Sequence, residues 1–133
     1  MAQQKMSAGQ ARRVEEVEAF RRTIAKVRSL VAELESSRAA KTSTIQAMCS
    51  TIARELQQMR QRALTANIGT VGDTAGTLAV MSVRSGGLNM KLRGLADGLN
   101  SIDIQLDQSL KAALAPEKVK APEPENPKDQ APA

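Results

Sequence analysis

Apolar residues recur along this chain at helical spacing in three separate segments. Alternating steps of three and four residues are the a/d pattern of a helix with one packed seam. This pattern predicts a helix over residues 10–36, with a seam formed by Val17, Phe20, Ile24, Val27, Val31 and Leu34. A second stripe, which drifts after Ile52, predicts a helix over residues 44–66. The third and longest run predicts a helix over residues 88–114 and contains Leu88, Leu92, Leu95, Leu99, Ile102 and Leu106.

The stretch between the first two helices, residues 36–44, allows two interpretations. The seam positions there fall on Arg38 and Lys41, and Ser43 with Gln46 has the spacing of a capping box. Both features favour a hairpin loop between two helices. The alternative is one uninterrupted helix, because the apolar register resumes in phase at Ile45 and long cations can extend to water.

Glycines mark the second half of the chain, since seven of the eight lie between residues 69 and 98. The stretch before Asp73 predicts a loop, and Asp73 itself is expected to start a short helix over residues 74–85. Gly94 and Gly98 interrupt the leucine run, although each glycine costs a helix about 1 kcal/mol relative to alanine. We therefore expect another helix to approach closely at both positions.

These elements predict an all-α protein, either a bundle or a long hairpin of about three amphipathic helices with coiled-coil-like seams. The helical domain is expected over residues 10–114, where the leucine seam packs against the two earlier stripes. Residues 1–9 are expected to form a flexible N-terminus. Residues 115–133 contain all five prolines and are rich in Glu, Lys and Ala, a composition that predicts a disordered tail.

The composition argues against an enzyme. The 133 residues include no histidine, which removes the commonest general base and the commonest metal ligand. The single cysteine, Cys49, lies beside the second apolar stripe and fits a small hydrophobe. The chain shows no signal peptide and no apolar stretch long enough to cross a bilayer. We expect a cytoplasmic protein with no membrane span, cofactor, metal or evident small-molecule substrate.

One short motif resembles a nucleotide-binding element. Residues 73–76 read DTAG, a spelling that many GTPases use in the loop that senses the γ-phosphate. A GTPase also needs a glycine-rich loop ending in Gly-Lys-Ser/Thr between a strand and a helix, and this chain has neither the motif nor the strands. The tetrapeptide is therefore better explained as a turn followed by a helix start.

Charge is distributed unevenly along the chain. Residues 1–66 hold twelve basic and six acidic residues, a balance of +6, which suits an acidic partner. The doublets Arg12-Arg13 and Arg21-Arg22 are candidate phosphate contacts, and a solvated face of salt bridges is the alternative. In the last helix, Asp103 and Asp107 lie one turn apart, which fits a solvated outer face or a weak divalent-ion site.

The sequence supports two functional hypotheses. The first is a non-enzymatic assembly or adaptor protein that binds partner helices or copies of itself through its coiled-coil-like seams. The alternative is a nucleic-acid-associated protein that uses the basic segment over residues 10–66. The near absence of aromatic residues, which stack on exposed bases, makes the nucleic-acid hypothesis the weaker of the two.

Overall fold

The computed structural model describes residues 6–84 and 86–115, and every regular element in those ranges is an α-helix. The predicted all-α class is therefore confirmed, but the predicted count of about three helices is too low. Four helices are present: α1 (Ala8–Ser36), α2 (Thr42–Thr65), α3 (Gly69–Val83) and α4 (Leu88–Leu114).

The helices form an up-down-up-down bundle. Each one packs against the next in the chain, and α4 returns to pack against α1. Lys26 Nζ lies 2.8 Å from Glu55 Oε2 across α1 and α2, and Gln105 Nε2 donates to Thr74 Oγ1 at 3.1 Å across α4 and α3. The connections are short, which makes neighbouring helices antiparallel. We call the end that carries residues 37–41 and 84–87 the two-loop end.

The core forms where the predicted apolar stripes meet. Its side chains come from all four helices and from the α2–α3 connection, and they form one cluster. Most of the predicted seam residues are fully buried there, including Ile24 and Leu34 of α1 and Leu99 and Ile102 of α4. Each buried aliphatic side chain of this kind stabilises the fold by about 1.5–3 kcal/mol. The expected packing of the leucine seam against the earlier stripes is present.

The first helix begins earlier than its apolar pattern indicated. Ser7 Oγ accepts a hydrogen bond from Gln10 N at 3.1 Å, and Gln10 Oε1 accepts one from Ser7 N at 2.9 Å. This reciprocal capping box satisfies two backbone amides at the start of α1. Residues 8 and 9, expected in a flexible N-terminus, are thus helical. Residues 1–5 and 116–133 of the predicted flexible termini lie outside the described residues.

Residues 37–41 form a loop, so the hairpin interpretation is correct and the single long helix is wrong. The predicted capping box of Ser43 and Gln46 is also wrong, because α2 begins at Thr42 with Lys41 as its N-cap and no side-chain capping bond. Arg38 Nη1 instead donates to Asn89 Oδ1 at 2.6 Å, which ties the loop to the start of α4. The cations at the seam positions therefore mark the turn.

Helix α2 ends in a left-handed turn at Asn67, which has a φ of 63°. Ile68 N donates to Ala63 O at 2.8 Å and Asn67 N donates to Leu64 O at 3.2 Å, the two bonds of a Schellman motif. Ile68 is buried and becomes the N-cap of α3. The turn therefore connects α2 directly to α3.

The main error of the sequence interpretation concerns α3, which begins at Gly69 rather than at residue 74. Asp73 does not start this helix but lies in its second turn, where its carbonyl oxygen accepts a hydrogen bond from Thr77 Oγ1 at 3.0 Å. The glycines are tolerated because Val71, Ala75 and other α3 residues are buried in the core. That burial offsets the helix penalty of the glycines.

Glycines on α3 and α4 make room for neighbouring helices. A methyl group added at Gly72 would lie 3.4 Å from Ala63 Cβ and 3.6 Å from the Arg60 carbonyl oxygen, so α3 packs closely against the backbone of α2. At Gly94 and Gly98 the neighbouring groups are instead side chains, those of Met81 and Leu78 on α3. The expected close approach at α4 thus involves side chains that fill the space above each glycine.

The left-handed turn at Asn67 predicts a stability order among substitutions. Asn67→Gly should leave the protein equally or more stable, whereas Asn67→Val should destabilise it by about 1–2 kcal/mol, because a β-branched residue disfavours positive φ. Urea unfolding followed by circular dichroism at 222 nm measures both. Equal stability of the valine and glycine variants would contradict this role for the turn.

The packing at Gly98 predicts that a single methyl group is costly there. In Gly98→Ala the new carbon would lie 2.8 Å from Leu78 Cγ, so the whole buried side chain would have to move. Overpacking of this kind costs about 1–3 kcal/mol, which exceeds the gain in helix propensity of about 1 kcal/mol.

The matched control is Gly9→Ala in α1, where the nearest atom to a new methyl group is Ser7 Oγ at 3.9 Å. The control should be neutral or stabilising in the same urea titration. If both glycine substitutions have the same effect, the close packing of Leu78 on α4 does not determine the cost.

Candidate functional site

The predicted interaction seam lies inside the bundle. Ten of its twelve residues are buried, and Val31 and Leu88 are partly buried and pack against the same core. The ten are Val17, Phe20, Ile24, Val27, Leu34, Leu92, Leu95, Leu99, Ile102 and Leu106. In this fold the seam joins the helices of one chain. A surface for another molecule has to be sought among other residues.

The four candidate phosphate contacts divide into two engaged and two exposed arginines. Arg13 Nη1 donates to Ala66 O at 3.1 Å and lies 3.1 Å from Glu16 Oε1. Arg21 pairs with Asp107 of α4 and also approaches Glu18. Arg12 and Arg22 are exposed and make no ion pair or side-chain hydrogen bond within the described part of the chain.

A series of polar contacts, which we call the α1–α4 ladder, joins the first helix to the last. Arg21 bonds to Asp107, and Arg28 bonds to Asp103 at 2.9 Å and to Asn100 Oδ1 at 2.7 Å. Planar guanidinium groups suit such paired contacts with oxygen acceptors. The ladder places Asp103 and Asp107 at the border of a helix interface, not on a solvated outer face as the sequence suggested.

The ladder also bears on the divalent-ion hypothesis for the two aspartates. Each carboxylate is bound by an arginine of α1, and across residues 6–84 and 86–115 no three acidic or cysteine side chains converge as metal ligands would. Oxygen-ligated cations need more converging ligands than two carboxylates. The chemistry of these residues is ion pairing between helices.

A groove lies between α1 and α2. These two helices make the least extensive contact among the four neighbouring pairs. The apolar section of the groove is lined by Ala19, Phe20 and Ala66, together with Glu16, Gln61, Arg62 and Thr65. Its polar continuation towards the two-loop end is lined by Arg22, Thr23, Lys26, Glu55 and Gln58. We call both sections together the α1–α2 groove.

The α1–α2 groove has an excess of positive charge along its polar section. The Lys26–Glu55 pair at 2.8 Å neutralises one cation there, and Glu16 is bound by Arg13. Arg62 has only the hydroxyl of Thr23 as a partner, at 3.3 Å, and Arg22 lines the groove without an acidic partner in the described residues. The groove thus combines an apolar floor with two uncompensated guanidinium groups.

No feature of the sequence pattern identified this groove. Ala19 and Thr23 lie on the flank of the α1 seam, and their short side chains leave space between the helices that longer ones would fill. Short residues on such a flank are a weak signal, because they are equally common on solvated helix faces.

The α1–α4 ladder predicts a measurable energetic coupling between Arg28 and Asp103. Their side chains are 43% and 36% exposed, so a double-mutant cycle with alanine at both sites should give about 0.2–1 kcal/mol. The coupling should decrease as salt is added, because partly exposed charges are screened. Urea unfolding of the four proteins at two salt concentrations provides the values.

The control cycle pairs Arg12→Ala with Asp103→Ala, two residues without mutual contact, whose effects should add. A coupling for Arg28 and Asp103 no larger than that of the control would show that the ladder does not stabilise the fold.

The surface geometry identifies a candidate binding site, the α1–α2 groove, that the sequence motifs did not identify. Within the described residues, no helix combines the length and the apolar character that a bilayer crossing requires. The α1–α4 ladder is satisfied within the chain, whereas Arg22 and Arg62 of the α1–α2 groove have no acidic partner among the described residues. No protein-family model, curated protein or solved structure matches this chain.

Proposed function

We propose that this protein is a non-enzymatic helical adaptor that binds an amphipathic helix of a partner protein in the α1–α2 groove. The observation that supports this proposal is the groove itself, in which the half-buried Ala19 and Ala66 form an apolar floor above the buried Phe20. Beside this floor lie Arg22 and Arg62, which have no acidic partner in the described residues. An amphipathic helix can place its apolar face on such a floor and its polar flank on the charged rim.

The dimensions of the groove suit a helix. Its lining residues on α1 extend from Glu16 to Lys26, which corresponds to about 15 Å along the helix axis. About three turns of a partner helix fit this length, so apolar anchors at i, i+3 or i+4 and i+7 would reach the floor. Antiparallel α1 and α2 already provide two walls, and a third helix between them would resemble ordinary packing in a bundle.

The charges favour a partner helix with acidic residues on one flank. Arg22 and Arg62 come from different walls of the groove, so carboxylates on either side of the bound helix would find a cation. Arginine binds carboxylates in a planar, two-bonded geometry that gives orientation as well as affinity. A second copy of this chain is the other candidate partner, and it predicts self-association without any additional protein.

Non-enzymatic action is supported by the available side chains. The sequence has no histidine, and Cys49 is buried within the core cluster. The DTAG tetrapeptide lies in the helical interior of α3, where its backbone amides are part of the helix rather than of a phosphate-binding loop.

A pair of substitutions on α1 tests the proposal. Ala19→Glu fills the groove and cancels its excess positive charge, whereas Ala25→Glu adds the same residue to an exposed position of the same helix. A partner captured by the native protein should be bound at least about tenfold more weakly by the Ala19 variant and normally by the Ala25 variant. Circular dichroism verifies that both variants are folded.

Three other outcomes would count against the proposal. The groove would be excluded as the binding site if both variants lost binding equally, or if both bound the partner as the native protein does. Light scattering that shows a stable oligomer disrupted by Ala19→Glu would assign the groove to self-association. Duplex binding that weakens steeply with salt and disappears in Arg12→Glu/Arg22→Glu would support the nucleic-acid alternative.

A further inference from the structure

A second concave site lies at the two-loop end, where α3 ends between α2 and α4. It is separate from the α1–α2 groove and shares no residue with it. The apolar part of its lining comes from Ile45, Cys49 and Val83, and the polar part comes from Gln46, Ser50, Ser82, Arg84 and Lys91. Residues of α2, α4 and the end of α3 therefore line one pocket that has an apolar part and a polar part.

The charge of this pocket is entirely positive. Arg84 and Lys91 are its only charged lining residues, and neither makes an ion pair or a side-chain hydrogen bond within the described residues. Two like charges that share one concave surface repel each other, and a bound anion would remove that repulsion. In contrast, Arg21, Arg28 and Arg38 each donate to an oxygen atom of an α4 side chain.

Helix ends of both polarities lie at the two-loop end, because α2 and α4 begin there and α3 ends there at Val83. Both α2 and α4 begin at the two-loop end, with Lys41 and Gly87 as N-caps that provide no side-chain hydrogen bond, and neither helix has an acidic residue in its first turn. Lys91 N donates to Gly87 O at 3.2 Å, so this lysine belongs to the first turn of α4. A cation at that position opposes the helix dipole, and an anion would relieve the conflict.

Neutral donors complete the pocket. The hydroxyl of Ser50 and the side-chain amide of Gln46 can donate hydrogen bonds to an oxygen atom, and both belong to exposed residues of α2. Ser82 differs, because its buried hydroxyl already donates to Leu78 O at 2.8 Å. Charged and neutral hydrogen-bond donors of this kind can bind the oxygen atoms of a tetrahedral oxyanion.

We propose that the pocket lined by Arg84, Lys91, Gln46 and Ser50 binds a small tetrahedral oxyanion, namely phosphate, sulfate or the phosphate group of a small metabolite. The apolar floor around Cys49 and Val83 gives room for an organic substituent on the anion. This site does not depend on the α1–α2 groove, so a partner protein and an anion can bind independently.

The test is a titration of the full-length protein with inorganic phosphate at constant ionic strength, followed by amide NMR shifts and by calorimetry. We expect saturable shifts at Ser50, Arg84 and Lys91 and no comparable change at residues of the α1–α2 groove. Arg84→Gln and Lys91→Gln should each weaken phosphate binding by about tenfold or more, because each removes a charged hydrogen-bond donor.

The matched control is Arg93→Gln, which removes an equal charge two residues after Lys91 from an exposed position that lines a different groove. This variant should bind phosphate as the native protein does. The proposal is overturned if phosphate causes no more change than chloride at the same ionic strength. It is also overturned if Arg93→Gln weakens binding as much as the two pocket variants do. Sulfate and a small phosphate monoester, titrated in parallel, distinguish the inorganic ion from a metabolite.

Discussion

The bundle depends on how closely α3 packs between α2 and α4. On one side, Gly72 allows the backbone of α3 to approach that of α2 near Ala63. On the other side, Gly94 and Gly98 leave space that the larger side chains of α3 occupy. Both contacts exist only because three positions lack a side chain. Dispersion and apolar burial at these contacts compensate the poor helix propensity of the glycine-rich segment.

Helix α1 contacts α4 and α2 in different ways, and this difference explains the position of the α1–α2 groove. Its apolar seam reaches the core, but its contact with α4 is bordered by the Arg28–Asp103 pair and its contact with α2 is the least extensive of the four. Polar contacts at a partly exposed border contribute less stability than apolar burial does. The bundle thus combines an especially extensive contact between α2 and α3 with the smallest contact, between α1 and α2, where the α1–α2 groove lies.

The sequence was most informative where one face of a helix meets one core. The periodic leucines placed α4 with its observed bounds, and α1 and α2 were each placed to within two residues at both ends. The sequence failed at α3, because a glycine-rich segment such as that around Gly72 becomes helical only through tertiary packing. The ion pairs of the ladder join residues far apart in the chain, such as Arg28 and Asp103. The α1–α2 groove depends on the separation of two helices. The spacing of residues within one helix therefore predicts neither the ladder nor the groove.

The capping box at the start of α1 has a topological consequence. Gln10 uses its carbonyl oxygen to cap α1, and its amide nitrogen donates to Ala113 O at 3.0 Å near the end of α4. One side chain therefore holds together the first and last turns of the bundle. Because these turns are adjacent, a short peptide linker could join them, and new termini could be opened in the exposed loop after Ser37. The resulting circularly permuted protein would contain the same four helices and would keep the contacts between them.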